Sequence, residues 1–268
     1  MKEISLKKIY RYIVTGFFME VFSERRKLRY EDNIEINLSN VNKLNKIAVY
    51  TTVFGNYDEI KNPNYISKNI DYFIITDQNI PKDLVWKKID FTNPYFEKLD
   101  KKDKSRFVKI FPNLVLKNYE WSVYIDGNIK ILDDINKLVV KVSQENKFIG
   151  LFNHFARDCV YEEGRVVYAR GKAKYIEIFK QLNKYKKEGF PKHFGLFENN
   201  IIIRKHNEKK CVFLMEQWWN EYIKGVKRDQ LSLCYVLWKN GYTANDVSII
   251  GKNSRNNNYF EIDNHSCK

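Results

Sequence analysis

Apolar positions along the chain follow two rhythms. Near the start, Leu6, Tyr10, Ile13, Phe17 and Val21 recur at spacings of three and four, and Ile9, Val14, Phe18 and Phe22 widen the stripe. That period predicts one amphipathic helix over residues 5–29. Lys7, Lys8, Arg11, Arg25, Arg26, Lys27 and Arg29 make it basic. Such a helix can lie in a membrane interface with its apolar face buried, or pack on the domain or a partner subunit. A polar, Asn-rich stretch over 31–45 then reads as a linker. From there, short apolar runs alternate with helical patterns. Ile47 to Phe54 reads as a buried strand ending at Gly55-Asn56, Asp71 to Asp77 as a second strand, and Trp86 to Phe91 as a third. Asp103 to Leu116 reads as a helix capped by Asp103 or Ser105 and disturbed by Pro112. Strands follow at Trp121 to Ile125, Lys147 to Asn153 and Asn200 to Arg204, with helices over 172–188, 208–224 and Asp229 to Lys239, the last closed by Asn240-Gly241. Strands alternating with helices predict an α/β sheet. Gly55, Asp77, Asp126 and His154 fall at C-terminal strand ends, where open α/β sheets bind ligands.

Composition narrows this picture. A chain of 268 residues, 44% hydrophobic, can bury one sizeable domain, and 11 Gly with 5 Pro exclude a low-complexity chain. The formal net charge of +14 suggests an anionic partner or a biased composition. Basic residues are spread along the chain without a nucleic-acid-binding motif, so nucleic acid is not the expected partner, although a basic nucleic-acid-binding protein stays open as a rival reading. Cys159, Cys211, Cys234 and Cys267 form no CxxC pair and read as reduced thiols in a cytoplasmic protein. Ile13 to Phe22 is interrupted by Gly16 and Glu20 and falls short of the roughly 20 residues that span a bilayer, so no secretory signal or membrane span is expected.

Candidate chemistry centres on Asp126-Gly127-Asn128. An apolar strand delivers a carboxylate to the sheet edge, Gly127 permits a tight turn, and Asn128 offers a second oxygen. Magnesium and manganese prefer such oxygen ligands and are often shared with a diphosphate. The same tripeptide is also an ordinary turn sequence. Arg106 and Lys109, three apart on a helix, share a face that could grip a diphosphate. Lys101, Lys102 and Lys104 read as solvated. His154, Arg157, Asp158, Glu162 and Glu163 suggest a polar pocket or a charged loop leading into a helix. Glu198-Asn199-Asn200 precedes an Ile-rich strand that leads into Arg204 and His206, and Arg228-Asp229-Gln230 opens a helix with Asp229 as cap or substrate contact. No phosphate loop, GxGxxG, GxSxG or HExxH is present.

These segments together resemble a known family. The pieces are Tyr50-Thr51-Thr52-Val53-Phe54-Gly55-Asn56-Tyr57-Asp58, Phe73-Ile74-Ile75-Thr76-Asp77, Arg106-Phe107-Val108-Lys109 with Pro112, Tyr124-Ile125-Asp126-Gly127-Asn128, the run His154 to Glu163, and Arg228-Asp229-Gln230. In this order they are similar to the glycosyltransferase-like domain of the plant turgor-regulation and mucilage-related proteins, with bacterial relatives in polysaccharide gene clusters. The resemblance implies a GT-A-like, Rossmann-type mixed sheet flanked by helices over 46–251, after the helix and linker of 1–45 and before a polar tail over 252–268. It implies a nucleotide-sugar donor, with UDP as the base carrier, held by Phe54, Gly55, Tyr57, Asp58, Thr76, Asp77, Arg106, Lys109, Asp126 and Gly127. It implies a divalent metal, Mn2+ or Mg2+, on Asp126 with Asn128 in place of a second aspartate and His265 as the late ligand. His154, Arg157, Glu198, Asn199 and Arg228 would line the acceptor pocket, and Asp229, or else Glu162 or Glu163, would be the catalytic base. The acceptor would be a glycan or glycolipid, a growing capsular or lipopolysaccharide chain, met on the inner face of the cell membrane through residues 5–29. Asn128 also leaves open a non-catalytic subunit of a polysaccharide assembly complex.

Overall fold

A computed structural model describes residues 46–55 and 57–263, together with Leu6 and Tyr10, which are helical and exposed. The rest of the helix expected over 5–29, the linker over 31–45, and His265 and Cys267 lie outside the described residues. The strands are β1 (Ile47–Val53), β2 (Ile70–Thr76), β3 (Lys87–Lys88), β4 (Trp121–Ile125), β5 (Ile129–Ile131), β6 (Ile149–Asn153), β7 (Phe197–Arg204), β8 (Ser248–Ile249) and β9 (Phe260–Ile262). The helices are α1 (Lys101–Ile110), α2 (Pro112–Val115), α3 (Asn136–Gln144), α4 (Val160–Ala169), α5 (Tyr175–Lys187), α6 (Lys209–Lys224) and α7 (Leu233–Lys239).

The α/β expectation holds. A seven-stranded sheet runs in the order β3-β2-β1-β4-β7-β6-β8, and β7 is antiparallel to both its neighbours. All of β1 and β4 is buried, as expected of central strands covered on both faces. Strand alternation divides the core. Ala48, Tyr50 and Tyr124 join a cluster with residues of α1 and α4–α7, whereas Ile47, Val49, Trp121 and Val123 join a second cluster with α3 and Phe260. Cys159, Cys211 and Cys234 are buried free thiols. No helix among the described residues is long and apolar enough to cross a membrane.

Several local expectations change. The third strand shrinks to Lys87–Lys88, an edge pairing with β2. The helix expected from Asp103 begins at Lys101, because Asp100 accepts the backbone N–H of Asp103 at 2.8 Å and is the true cap. It ends at Ile110, since Pro112 has no N–H to continue the ladder and instead starts α2. Asp103 is buried, accepting from Tyr222 Oη at 2.9 Å and pairing with Lys227. The last expected helix opens as a 3-10 turn over Asp229–Leu231 before α7. β7 begins at Phe197, so Glu198 and Asn199 stand on the strand rather than before it.

The stretch expected as a polar tail is folded over residues 252–263. Phe260–Ile262 pairs antiparallel with Ile129–Ile131, because the apolar Phe260 has a place in the core beside Phe152. Ser254 donates its backbone N–H to Glu198 at 2.9 Å.

Candidate active site

Strand order reverses between β1 and β4: the chain steps outward from β1 to β2 and β3, then returns to β4 on the other side. Loops leaving two such strands diverge and leave a crevice at their C-terminal ends. A cleft of about 620 Å³ lies there. The end of β1 and its loop contribute Thr52, Val53, Phe54, Gly55, Tyr57 and Asp58; α1 contributes Lys101, Lys102, Ser105 and Arg106. β4 and its turn contribute Tyr124, Asp126 and Gly127, and two loops bring Lys172 and Arg228.

The wall is braced from behind. Gly55, at φ 73°, donates its N–H to Asp77 Oδ1 at 2.9 Å, a left-handed geometry that favours glycine. Burial works against ionisation of Asp77, but this amide and Lys101 outweigh it and pull the carboxyl below its ordinary range. Thr76 Oγ1 donates to the Val53 carbonyl. Thr76 and Asp77 therefore hold the β1 loop in shape rather than line the cleft. Helix α1 is fixed to β1 by Thr52 Oγ1 and Ser105 Oγ at 2.7 Å and by Tyr50 Oη donating to the Lys109 carbonyl at 2.8 Å. Buried Arg204 donates to the Lys109 and Ile110 carbonyls, satisfying helix-end acceptors.

Arg106 and Lys109 do share a face, but they separate in role. Arg106 lines the cleft, whereas Lys109 is 1% exposed and donates to Asp229 Oδ2 at 2.7 Å, with Asp126 Oδ1 3.5 Å away. Lys109 thus stands behind the cleft and does not face a ligand directly. Arg106 Nε also approaches Asp229 Oδ2, at 3.5 Å. Burial resists the Asp229 charge, yet Lys109, Arg106 and Arg228 prevail and hold its carboxyl far below the usual carboxylate range. A carboxylate held that firmly as an anion is a weak proton acceptor, and in this geometry Asp229 serves as the counter-ion of the basic cluster.

Asp126 ends β4, its backbone N–H donated to the Asn200 carbonyl at 2.8 Å and its Oδ1 accepting from Tyr124 Oη at 2.7 Å. Asn128 turns its amide nitrogen to the Asp263 carbonyl at 2.7 Å. A divalent ion would find here one carboxylate oxygen already bonded, an amide, and a lysine ammonium close by. Among the described residues, the grouping with metal-ligand spacing is Cys159, Glu162 and His193, none of which lines the cleft. On the cleft side the protein offers a divalent ion the Asp58 and Asp126 carboxylates, while Glu59, Asn128 and Asp263 line the adjoining cavity. An ion held by one or two carboxylates would need a diphosphate to complete its shell, and His265 lies outside the described residues.

Several of the other expected pocket residues pair with one another away from the cleft. Arg157 Nε donates to Glu163 Oε2 at 2.8 Å, and His154 Nε2 lies 3.7 Å from the same oxygen. His154 Nδ1 accepts the backbone N–H groups of Ala156 and Arg157 at 3.2 and 3.1 Å. Burial and the charges of Arg157, Arg255 and Arg170 push its pKa down to about 3, so it is neutral. Glu198 accepts from Ser254 and from the Phe155 N–H, and burial raises its pKa. His154, Arg157, Glu162, Glu163, Glu198, Asn199 and Asp229 do not line the cleft; Arg228 does. Both amide atoms of Asn199 are buried without a hydrogen-bond partner, and the structure supplies no account of them.

Lys101 and Lys102, read as solvated, line the cleft, as do Lys172, Ser105 and Thr52. Helical spacing could have found Lys102, four residues before Arg106 on the same face. Nothing local marks Lys172. Gly127 packs tightly: an added Cβ would lie 2.8 Å from Val53 Cγ2 and 3.3 Å from Asp58 Oδ2. Gly127→Ala is therefore expected to cost about 1–3 kcal/mol. A lowered denaturation midpoint checks this, and an unchanged one would show that the turn yields freely.

Comparison with known proteins gives these residues a context. The Probable hexosyltransferase MUCI70 of Arabidopsis thaliana is 24% identical over 229 residues, covering 75% of this chain and 39% of the relative, so the chain spans well under half of that protein. Among solved structures, the apo WbbM bifunctional glycosyltransferase is 14% identical at a TM-score of 0.46, over 76% of this chain and 38% of that one. Galactosyltransferase LgtC in complex with donor and acceptor sugar analogues is 12% identical at 0.43, over 75% and 72%. Mouse xyloside xylosyltransferase 1, in its apo form, is 11% identical at 0.42, over 76% and 84%. The description "TOD1/MUCI70, glycosyltransferase-like domain" matches residues 12–263, nearly the whole sequence, and the chain belongs to that family.

Proposed function

We propose that the chain transfers a sugar, a hexose first among candidates, from a nucleotide-sugar donor held in the cleft to a hydroxyl of a glycan acceptor. The observation that carries this reading is the meeting of Phe54, Gly55, Tyr57, Asp58, Arg106, Asp126 and Gly127 in one cleft at the β1–β4 reversal, in a chain of a glycosyltransferase-like family. Asp126 sits at the reacting end, and the β1 loop cradles the nucleoside.

In the reaction, the acceptor oxygen forms a bond to the anomeric carbon as the bond from that carbon to the β-phosphate oxygen breaks. The acceptor's proton passes to a basic oxygen, either a cleft carboxylate or the departing phosphate. Arg106 stabilises the charge that grows on the leaving group, an interaction strongest when charge develops in a site already organised to receive it. With Asp229 committed to Lys109, an inverting route would draw its base from Asp58 or Asp126, the carboxylates lining the cleft among the described residues. A retaining route needs no base on that face. UDP is the nucleotide we favour, and a growing surface polysaccharide, capsular or lipopolysaccharide, is the acceptor class to try first.

A thermal-shift panel of nucleotide sugars tests this. A ligand at about 100 times its Kd adds about 2.7 kcal/mol to stability, or roughly 5–10 °C in a chain of this size. UDP-hexoses are expected to give such a shift. If no nucleotide sugar moves the midpoint, the donor-site reading fails.

A further inference from the structure

We propose that the cleft grips the donor's diphosphate with a fixed set of side-chain cations, Lys102, Arg106, Lys172 and Arg228, in place of a divalent metal ion. The inference rests on the glycosyl-transfer reading above and goes beyond it in naming what neutralises the leaving group.

The first observation is an excess of unpaired positive charge. In and behind the cleft, three cations have partners: Lys101 lies 3.3 Å from Asp77, Arg106 Nε lies 3.5 Å from Asp229, and Lys109 donates to Asp229. Lys102, Lys172 and Arg228 line the same cleft, and among the described residues none has a carboxylate at ion-pair distance. Arg228 Nε is buried with no acceptor at all. A buried guanidinium donor without a partner is costly, and a phosphate oxygen is the acceptor for which its forked geometry is best suited.

The second observation is convergence. Burial first, then the charges of Arg228 and Arg106, draw the Lys102 pKa below the ordinary lysine value. Burial first, then Arg228 and Arg170, do the same to Lys172. Lys102 comes from α1 and Lys172 from the loop after α4, yet both feel Arg228, so three distant segments aim positive charge at one volume. Like charges gathered this way repel one another until an anion enters. Two adjacent phosphates match a set of donors spread over three segments better than a single carboxylate does.

The third observation is the poor welcome for a metal. On the cleft side, Asp58 and Asp126 are the carboxylates among the described lining residues, against Lys101, Lys102, Arg106, Lys172 and Arg228, whereas Glu59, Asn128 and Asp263 line the adjoining cavity. Asp126 Oδ1 also lies 3.5 Å from the Lys109 ammonium. A divalent cation would enter the cleft where positive charge already prevails.

Inorganic pyrophosphate is the probe that isolates this grip from the nucleoside and the sugar. Its binding to the full chain is measured by calorimetry and thermal shift, once in EDTA and once in excess manganese, with sulfate at matched ionic strength as control. The expected result is equal affinity in both media, a shift well above that of sulfate, and a loss of roughly ten-fold or more in a Lys102→Ala/Lys172→Ala variant. Neither ammonium has an ion-pair partner among the described residues, so that variant should keep its unliganded melting midpoint, and a Lys102→Ala/Lys172→Arg variant should recover most of the affinity lost in the double alanine variant. Binding that appears only with manganese and vanishes in Asp126→Ala would overturn the inference while leaving sugar transfer intact. Unchanged affinity in the double variant, or an equal shift with sulfate, would overturn it as well. Metal-independent pyrophosphate binding in a protein that binds and turns over no nucleotide sugar would uphold the anion site and remove the glycosyl-transfer reading.

Discussion

Asp126→Ala is expected to lower sugar transfer, and donor hydrolysis in the absence of acceptor, by about 100-fold or more, the scale seen when one organised electrostatic group is removed from a reacting centre. The carboxylate stands at the end of a fully buried strand, lines the cleft, and is oriented by the Tyr124 hydroxyl. Its side chain is 26% exposed, so its removal should change the melting midpoint far less than it changes the rate. Asp126→Asn keeps the shape and removes the charge; a comparable loss in that variant would assign the effect to the anion. The fall should appear in kcat, because a group that acts on developing charge contributes most in the transition state. A rate within a few-fold of the parent would move the reacting centre elsewhere. A parent protein that binds donor but never hydrolyses or transfers it would favour the non-catalytic assembly subunit.

Asp229→Ala should be the most destabilising single change at this site. It leaves Lys109, 1% exposed, with only the more distant Asp126 as counter-charge. Uncoupling a buried ion pair costs about 3–5 kcal/mol, or roughly 6–20 °C in melting midpoint here. Lys109→Met should cost less, since Arg106 still faces Asp229. The Lys109→Met/Asp229→Leu double variant should recover much of the loss, because no unpaired charge remains buried. The pH dependence has a definite sign. Asp229 has its pKa depressed in the folded state, so its contribution is complete above the unfolded carboxylate value of about 4 and is lost progressively as pH falls from there to the much lower folded value. The stability gap between parent and Asp229→Ala should therefore be flat from about pH 5 to 8 and narrow only in strong acid. Chemical denaturation at several pH values checks both points; a gap that already closes at pH 5 would show that the pairing is weak.

The parts of the fold that were legible are those whose cause is local. β1 and β4 announce themselves as near-continuous apolar runs because both their faces are covered, and Asp126 is conspicuous because it follows such a run directly. α3 carries only a short apolar stripe between stronger strand signals, which hides it in the sequence. The assignment of charges was not legible for a different reason. Helical spacing puts Lys102, Arg106 and Lys109 on one side of α1, but which of them stays free depends on a carboxylate 120 residues away from Lys109. The same limit turned His154, Arg157 and Glu163 into an apparent pocket. Their charges looked available in sequence and are spent on one another in space.

The pairing of β5 with β9 has a consequence for how the protein is made. The turn at Asp126 to Asn128 is closed by residues 260–263: the strand pairing itself, the Asn128 amide on the Asp263 carbonyl, and Lys130 on the Asp263 carboxylate. A chain emerging from the ribosome can form β1, β2 and β4 early, since those strands are close in sequence. The segment that clamps the turn emerges more than 130 residues after it. The nascent chain can therefore hold β1, β2 and β4 side by side while the turn at Asp126 still lacks its clamp, which forms only after residues 260–263 have emerged.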